Sequence, residues 1–214
     1  IFRIAKFSQK SIPRIARLTV LGNLNLDLGN LHNSAFNIDK KFYYYQEAKK
    51  IAESIGEERL LSMVCMNIGN TYLDMNKPDS ALAYELNALK YSDRSGFRMY
   101  YGLTLIYLGN IYSTKEDFGT AKKYYNESIQ VNKDLNNLSY LAESYIALTN
   151  LFKKTGQIDS CLYYAKIGLS IYRKNGEPQG LLTASKLISS VYRESKNVDS
   201  AFAYQSMTLL LADS

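Results

Sequence analysis

Asparagine recurs every forty residues through most of the chain, at Asn30, Asn70, Asn110 and Asn150, and Ser190 takes the fifth position. An asparagine amide offers hydrogen-bond donors together with an acceptor. The periodicity described below places these residues inside helices, where asparagine is not a favoured residue. Four asparagines in one register therefore indicate that the side chain has a use.

The residue types that catalysis needs do not form a recognisable group. The chain has a single histidine, His32, and two cysteines, Cys65 and Cys161. It contains no glycine-rich phosphate loop, no His-x-x-x-His and no Cys-x-x-Cys motif. The adjacent acids Glu57 and Glu58 suit the first turn of a following helix, where the helix dipole favours carboxylates. We predict no enzyme activity, no metal site, no cofactor and two buried free thiols.

A five-residue motif surrounds the asparagines and defines a repeat. Residues 68–72 (Ile-Gly-Asn-Thr-Tyr) return forty residues later as residues 108–112 (Leu-Gly-Asn-Ile-Tyr), and the same register holds at 28–32, 148–152 and 188–192. Tyrosine follows fifteen residues after the second residue of each motif, which is Gly, Thr or Ser, at Tyr44, Tyr84, Tyr124, Tyr164 and Tyr204. Related columns lie 12, 19 and 22 residues after that position. Steps of three and four residues keep one face of a helix towards its neighbour, so each repeat reads as two helices joined by a turn.

The pattern resembles the tetratricopeptide repeat, which carries Leu-Gly-x-x-Tyr in its first helix and Ala-x-x-Tyr-x-x-x-Ala in its second. Two departures are the period of forty residues in place of 34 and the missing closing proline. Gly56, Gly96, Asn136 and Gly176 stand where the second helices should end in the left-handed conformation. The resemblance implies an all-α, right-handed superhelix of about five repeats. We place these repeats at about 19–55, 58–95, 98–135, 138–175 and 178–214.

The domain prediction is one solenoid over residues 19–214, preceded by a basic partial repeat or capping helix over residues 1–18. The net charge of +6 comes mainly from that segment, because the rest of the chain has 21 bases and 20 acids. A basic helix lying on a membrane is the alternative for this segment, and Pro13 weakens it. We expect no nucleic-acid binding by the near-neutral repeats and no membrane span. The compartment stays open between a periplasmic sensor region and the cytoplasm.

The resemblance implies that the asparagine column faces a concave groove, where an amide can hold the backbone of a bound peptide. The alternative is that each asparagine links adjacent repeats by hydrogen bonds, and the two uses are compatible. A clamp for a terminal carboxylate is not expected, because apolar residues such as Ile106 and Ile146 replace its basic residues. Neighbouring groove positions include Asn23, Asp27, Met63 and Glu143. The predicted groove residues are Asn30, Asn67, Asn70, Tyr107, Asn110, Asn150, Lys153 and Arg193.

We predict a non-catalytic scaffold that binds a protein or an extended peptide segment. The tyrosine and asparagine content and the Asp-Ser-Ala turns are similar to the repeat regions of bacterial sensor histidine kinases and related regulators. That resemblance implies the sensory or interaction region of a larger protein of two-component signal transduction. The alternative is a soluble regulator that binds a short signalling peptide in the groove. A scaffold predicts a broad interface with self-association, whereas the regulator predicts tight binding of a small peptide.

Overall fold

The computed structural model describes the backbone of residues 2–32 and 37–212, with side chains from residue 14 onward. The described residues form ten helices and no strand, which confirms the all-α class. The helices are α1 (Phe2–Leu31), α2 (Ile38–Ile55), α3 (Glu58–Asp74), α4 (Pro78–Arg94), α5 (Arg98–Thr114), α6 (Phe118–Asp134), α7 (Leu138–Lys154), α8 (Ile158–Asn175), α9 (Pro178–Glu194) and α10 (Val198–Ala212). Consecutive helices form repeats one to five, from α1–α2 to α9–α10.

An aromatic stack joins the two helices of every repeat. Tyr72 of α3 lies 5.5 Å from Tyr84 of α4, measured between ring centroids. In repeat one, His32 replaces the first aromatic residue and stacks on Tyr44, also at 5.5 Å. The other stacks are Tyr112–Tyr124, Phe152–Tyr164 and Tyr192–Tyr204. The tyrosine column predicted from the sequence therefore packs the helix pairs together, and His32 takes part in the same packing.

Residues with positive φ occur in the turns between repeats and in the turns within repeats. Each series recurs at intervals of forty residues. Gly56, Gly96, Asn136 and Gly176 have positive φ at the turns that follow the second helices, as predicted. A second series lies between the two helices of a repeat, with Asn76, Glu116, Gly156 and Lys196 at φ between 55° and 72°. This second series was missed because Glu and Lys give no sequence signal for a left-handed position. The two series mark the ends of helices α2 to α9.

The chain divides into two compact units, unit 1 (residues 1–101) and unit 2 (residues 102–214). The core of unit 1 includes Leu26, Tyr45, Leu60, Val64 and Ile68. The core of unit 2 includes Ala142, Ile146, Ala165, Leu169 and Ile188. Both cores contain apolar residues from the first and the second helices of their repeats.

Helix α1 continues without a break from Phe2 to Leu31, past Pro13 and across the predicted boundary at residue 18. It therefore starts earlier than the predicted beginning of repeat one, near residue 19. The side chains of residues 1–13 lie outside the described part of the structure, so the separate role predicted for residues 1–18 stays a prediction. The grouping of residues 19–214 into one domain also stays a prediction.

Candidate functional site

A cleft in unit 2 has a volume of about 440 Å³ and is lined mainly by first helices. Its apolar residues include Ile106 of α5 with Ile146 and Ala147 of α7, all buried. Its polar residues include Asn110 and Asn150, two of the residues predicted from the sequence. The remaining lining residues are Glu143, Tyr172, Glu177, Gln179, Gly180 and Thr183. This mixture of an apolar surface and a few polar groups is typical of a ligand site.

Two carboxylates give the unit 2 cleft a negative character. Burial raises the pKa of Glu143, and the charge of Glu177 raises it further. The Glu177 carboxylate accepts hydrogen bonds from Ser139 and Asn175. No Lys, Arg or His lines the described part of this cleft. A positive group placed in the cleft would relieve the repulsion between the two carboxylates.

Asn110 and Asn150 line the same cleft but differ in their hydrogen bonds. The Tyr125 hydroxyl donates to Asn110 Oδ1 at 2.7 Å. The position equivalent to Tyr125 in repeat four is Ala165, which has no hydroxyl. No other described residue hydrogen-bonds to the Asn150 side chain, which is exposed. The side-chain amide of Asn110 is therefore hydrogen-bonded within its own repeat, whereas that of Asn150 is free of hydrogen bonds to the described residues.

In unit 1, too, one asparagine of the column is hydrogen-bonded through its side chain and another is not. Asn30 Oδ1 accepts from the Tyr45 hydroxyl at 2.8 Å and from Asn67 Nδ2 at 2.9 Å. The second of these bonds links repeat one to repeat two, as one of the two predicted uses of the column requires. Asn70 is half-buried, and no described residue hydrogen-bonds to its side chain. A cleft of about 330 Å³ in unit 1 is lined by the predicted groove positions Asn23, Asp27 and Met63, together with Thr19, Leu26, Glu57, Arg59 and Leu60.

The other predicted groove residues of unit 2 lie outside the lining of the unit 2 cleft. Lys153 forms an ion pair with Glu194 at 2.8 Å and donates to Ser190 Oγ at 2.9 Å. Arg193 is exposed and lines a smaller cleft of about 240 Å³. Tyr107 is half-buried on α5. Lys153 therefore links repeats four and five by the same kind of bond that Asn67 makes in unit 1.

A further column, which was not predicted from the sequence, lies sixteen residues after the second residue of the motif: Tyr45, Glu85, Tyr125, Ala165 and Gln205. A Cβ atom added to Gly109 would lie 2.3 Å from the Tyr125 ring, and one added to Gly29 would lie equally close to Tyr45. The glycine of the motif therefore makes room for the tyrosine ring of the second helix. The sequence contains a signal for this contact, because in repeats one and three a tyrosine in this column occurs together with a glycine in the motif.

Neither a cluster of metal ligands nor a membrane-spanning helix is found among the described residues. No three His, Cys, Asp or Glu side chains of that part of the chain lie close enough to hold a metal ion. None of its helices has the length and apolar character that crossing a membrane requires.

Residues 104–135 match a family model described as Tetratricopeptide repeat. They cover most of repeat three, and the other repeats share its forty-residue register and its aromatic stack. Repeat three is therefore a tetratricopeptide repeat. The resemblance noted in the sequence is thereby confirmed, and the period of forty residues is retained through all five repeats. No curated protein sequence matches the chain.

Solved structures of tetratricopeptide repeat type match almost the whole chain. BtubC from P. vanneervenii is 19% identical, with a TM-score of 0.78 over 98% of this chain and 87% of that chain. The Rap conjugation gene regulator of plasmid pLS20, solved in complex with the Phr* peptide, is 16% identical with a TM-score of 0.78. A STAND protein with a tetratricopeptide repeat sensor from Pyrococcus horikoshii is 17% identical with a TM-score of 0.73.

The matches cover different shares of the solved chains. The alignment with the Rap regulator covers 92% of this chain and 55% of that chain. The alignment with the STAND protein covers 96% of this chain and 33% of that chain. At these identities the likeness shows the fold alone, and it assigns none of the activities of those proteins to this chain.

Proposed function

We propose that this chain is a non-catalytic binding scaffold and that the cleft of unit 2 takes an extended peptide segment carrying a positive group. The observation that carries the proposal is the lining of this cleft, where free and held amides lie beside two carboxylates and an apolar surface. The fold is one whose members include a Rap regulator solved with a peptide. The peptide supplies backbone groups for the amides and a lysine, an arginine or its amino terminus for the carboxylates.

The raised pKa of Glu143 links peptide binding to pH. A cation beside this carboxylate favours the ionised form, so binding lowers the pKa of Glu143 and releases a proton. Affinity is therefore weak where Glu143 is protonated, near its ordinary pKa of 4.5. It rises as the pH increases through the raised pKa of the free protein and then reaches a plateau.

The first experiment selects short random peptides by display against the wild-type protein and measures the strongest binder by isothermal titration. We expect the peptide to contain a basic group whose replacement by a neutral isostere lowers affinity about tenfold, because an ion pair in a partly buried site is lost. We also expect the affinity of the Glu143→Gln variant to lose its pH dependence. Glu127→Gln, on the second helix α6, is the matched control and should bind like the wild type.

Selection of peptides without a basic group, or an unchanged pH profile in Glu143→Gln, would overturn the role of the carboxylates. Failure to select any peptide would overturn peptide binding itself and would favour a broad protein interface. Self-association is measured in the same preparations by sedimentation velocity, and a concentration-dependent increase in mass would support the scaffold with a broad interface.

The finer assignment within this proposal is the sensory or interaction region of a larger bacterial signalling protein. The likeness to a STAND protein whose repeats are called a sensor supports a sensory role. The alternative is a soluble regulator that binds a short signalling peptide, which the likeness to the Rap regulator supports. The two are distinguished by the full-length gene product, because the first requires a signalling domain on the same polypeptide.

A further inference from the structure

The cleft of unit 1 is lined by charged groups of both signs that are not paired with each other. Its lining includes the carboxylates of Asp27 and Glu57 and the guanidinium group of Arg59. Among the described residues, none forms an ion pair or a hydrogen bond with any of these three side chains. The adjacent carboxylate of Glu58, in contrast, forms an ion pair with Arg94. Unpaired charges of opposite sign in one cleft can each bind the opposite charge of a ligand.

An aromatic ring positions the guanidinium group of Arg59. The central carbon of this group lies over the ring of Phe97, 4.1 Å from its centroid. Phe97 follows the left-handed residue Gly96 in the turn between α4 and α5. A guanidinium group that lies over a ring keeps the N–H groups at its edge available. Those N–H groups can bind a carboxylate through two parallel hydrogen bonds.

The register of the repeats makes the clefts of unit 1 and unit 2 equivalent positions. Every lining residue of the unit 1 cleft except Thr19 has a counterpart, 120 residues later, in the lining of the unit 2 cleft. Glu57 corresponds to Glu177, so both clefts have a carboxylate at this position. Arg59 corresponds to Gln179, which carries no charge. Of the described lining residues, those of unit 1 therefore add a base to the acid that the two clefts share.

The rest of the unit 1 cleft suits a small ligand with an apolar part. Leu26 and Leu60 are buried in its lining, and Met63 is half-buried. The volume of about 330 Å³ lies near the lower end of the range of about 300–1,000 Å³ for small-molecule sites. An α-amino acid carries a carboxylate and an ammonium group on one carbon atom, next to its side chain. It therefore supplies both charges and an apolar group within a small volume.

We propose that the cleft of unit 1 is a second ligand site, which takes a free α-amino acid with an apolar side chain. Arg59 binds the carboxylate of the amino acid, and Asp27 and Glu57 bind its ammonium group. The apolar side chain contacts Leu60 and Met63. The inference is independent of the peptide proposed for unit 2, because the two clefts share no residue.

The first test titrates the wild-type protein with leucine, isoleucine, valine, methionine and phenylalanine, each measured by isothermal titration calorimetry. We expect the strongest binder to have a dissociation constant of about 1 mM or lower, which is ordinary for a ligand of this size. Its amide, which lacks the carboxylate, and its N-acetyl derivative, which lacks the ammonium group, should each bind about tenfold more weakly. If none of these amino acids bound at concentrations up to about 10 mM, the proposal would be overturned.

Two variants assign the charges of the ligand to residues of the cleft. Arg59→Met should lower the affinity for the amino acid about tenfold and have no further effect on its amide, because that ligand has no carboxylate to lose. Asp27→Asn should lower the affinity about threefold and have no further effect on the N-acetyl derivative. Arg98→Met and Asp93→Asn replace exposed residues of unit 1 outside the cleft lining and should bind like the wild type.

An equal loss of affinity for the amino acid and its amide in Arg59→Met would overturn the contact with the carboxylate. The circular dichroism spectrum of each variant checks that the fold is retained.

The role of Phe97 as a positioning residue has its own test. Phe97→Leu keeps an apolar side chain but removes the ring under the guanidinium group. We expect the affinity for the amino acid to fall about threefold and the affinity for its amide to stay unchanged, because only the carboxylate contacts Arg59. If both affinities fell equally, Phe97 would act through the packing of the cleft and the assignment of Arg59 as its anion-binding group would be overturned.

Discussion

Glu85 lies in the interior of unit 1 with a fully buried side chain, and neither of its carboxylate oxygens has a hydrogen-bond partner among the described residues. Burial raises its pKa well above the ordinary value of 4.5. It occupies the column in which Tyr45 and Tyr125 bond to asparagines, and Gly69 provides the space for a tyrosine ring there. Glu85 is therefore the residue at which unit 1 departs from the packing of the other glycine-containing repeats.

The raised pKa makes the stability of unit 1 depend on pH. Because the folded state binds the proton more tightly than the unfolded chain, the stabilisation is fully present below about pH 4.5 and is lost as the pH rises through the folded-state pKa. We expect chemical denaturation of the wild type to show this loss, and Glu85→Gln to remove it. Titration of the nearby Cys65 does not interfere, because burial raises the pKa of that thiol to about 11.

Replacement of Glu85 by tyrosine should stabilise unit 1. The new ring would pack over Gly69 and its hydroxyl would donate to Asn70, as Tyr45 does to Asn30. Removal of a buried unpaired polar group and formation of one hydrogen bond should add about 1–3 kcal/mol to the free energy of unfolding near neutral pH. A decrease in the denaturation midpoint would show that Glu85 has a partner in solution.

At the scale of the helices, the turns within the repeats offer a matched pair of tests. Gly156 and Lys196 are equivalent turn residues with φ of 72° and 60°. A side chain in this conformation costs about 1–2 kcal/mol. We expect Lys196→Gly to raise the free energy of unfolding by up to about 1 kcal/mol and Gly156→Ala to lower it by about as much, as measured by denaturant titration. If the free energy of unfolding changed in the same direction in both variants, backbone strain at Lys196 would be contradicted.

At the scale of the whole molecule, each unit contains one cysteine that can report on its opening. Cys65 of unit 1 and Cys161 of unit 2 are both buried, with exposed fractions of 1% and 0%. Burial also raises the pKa of both thiols, so a thiol reagent should modify neither in the native protein and both after denaturation.

Peptide binding should protect the two thiols unequally. A peptide at a hundred times its dissociation constant stabilises the unit that binds it by about 2.7 kcal/mol, which slows labelling through unfolding roughly a hundredfold. Because the proposed cleft lies in unit 2, we expect slower labelling of Cys161 than of Cys65, as measured by mass spectrometry of the digested protein. Preferential protection of Cys65 would place the peptide in unit 1.

The sequence by itself determined the helices, the five repeats, the stacked aromatic column and the left-handed ends of the second helices. These features depend on residues close in the chain, and a period of forty residues repeats the same local signal five times. The sequence also identified Asn110 and Asn150 as candidate groove residues, because their position in the first helix is the same in every repeat.

Only the tertiary structure decided which of these amides is free. Whether Asn110 or Asn150 can turn depends on a hydroxyl fifteen residues away on another helix, and the sequence alone did not show which column would reach it. The structure also paired Lys153 with Glu194 and brought Glu143 and Glu177 to one cleft. These outcomes depend on distances between side chains of different helices, which a one-dimensional pattern does not contain.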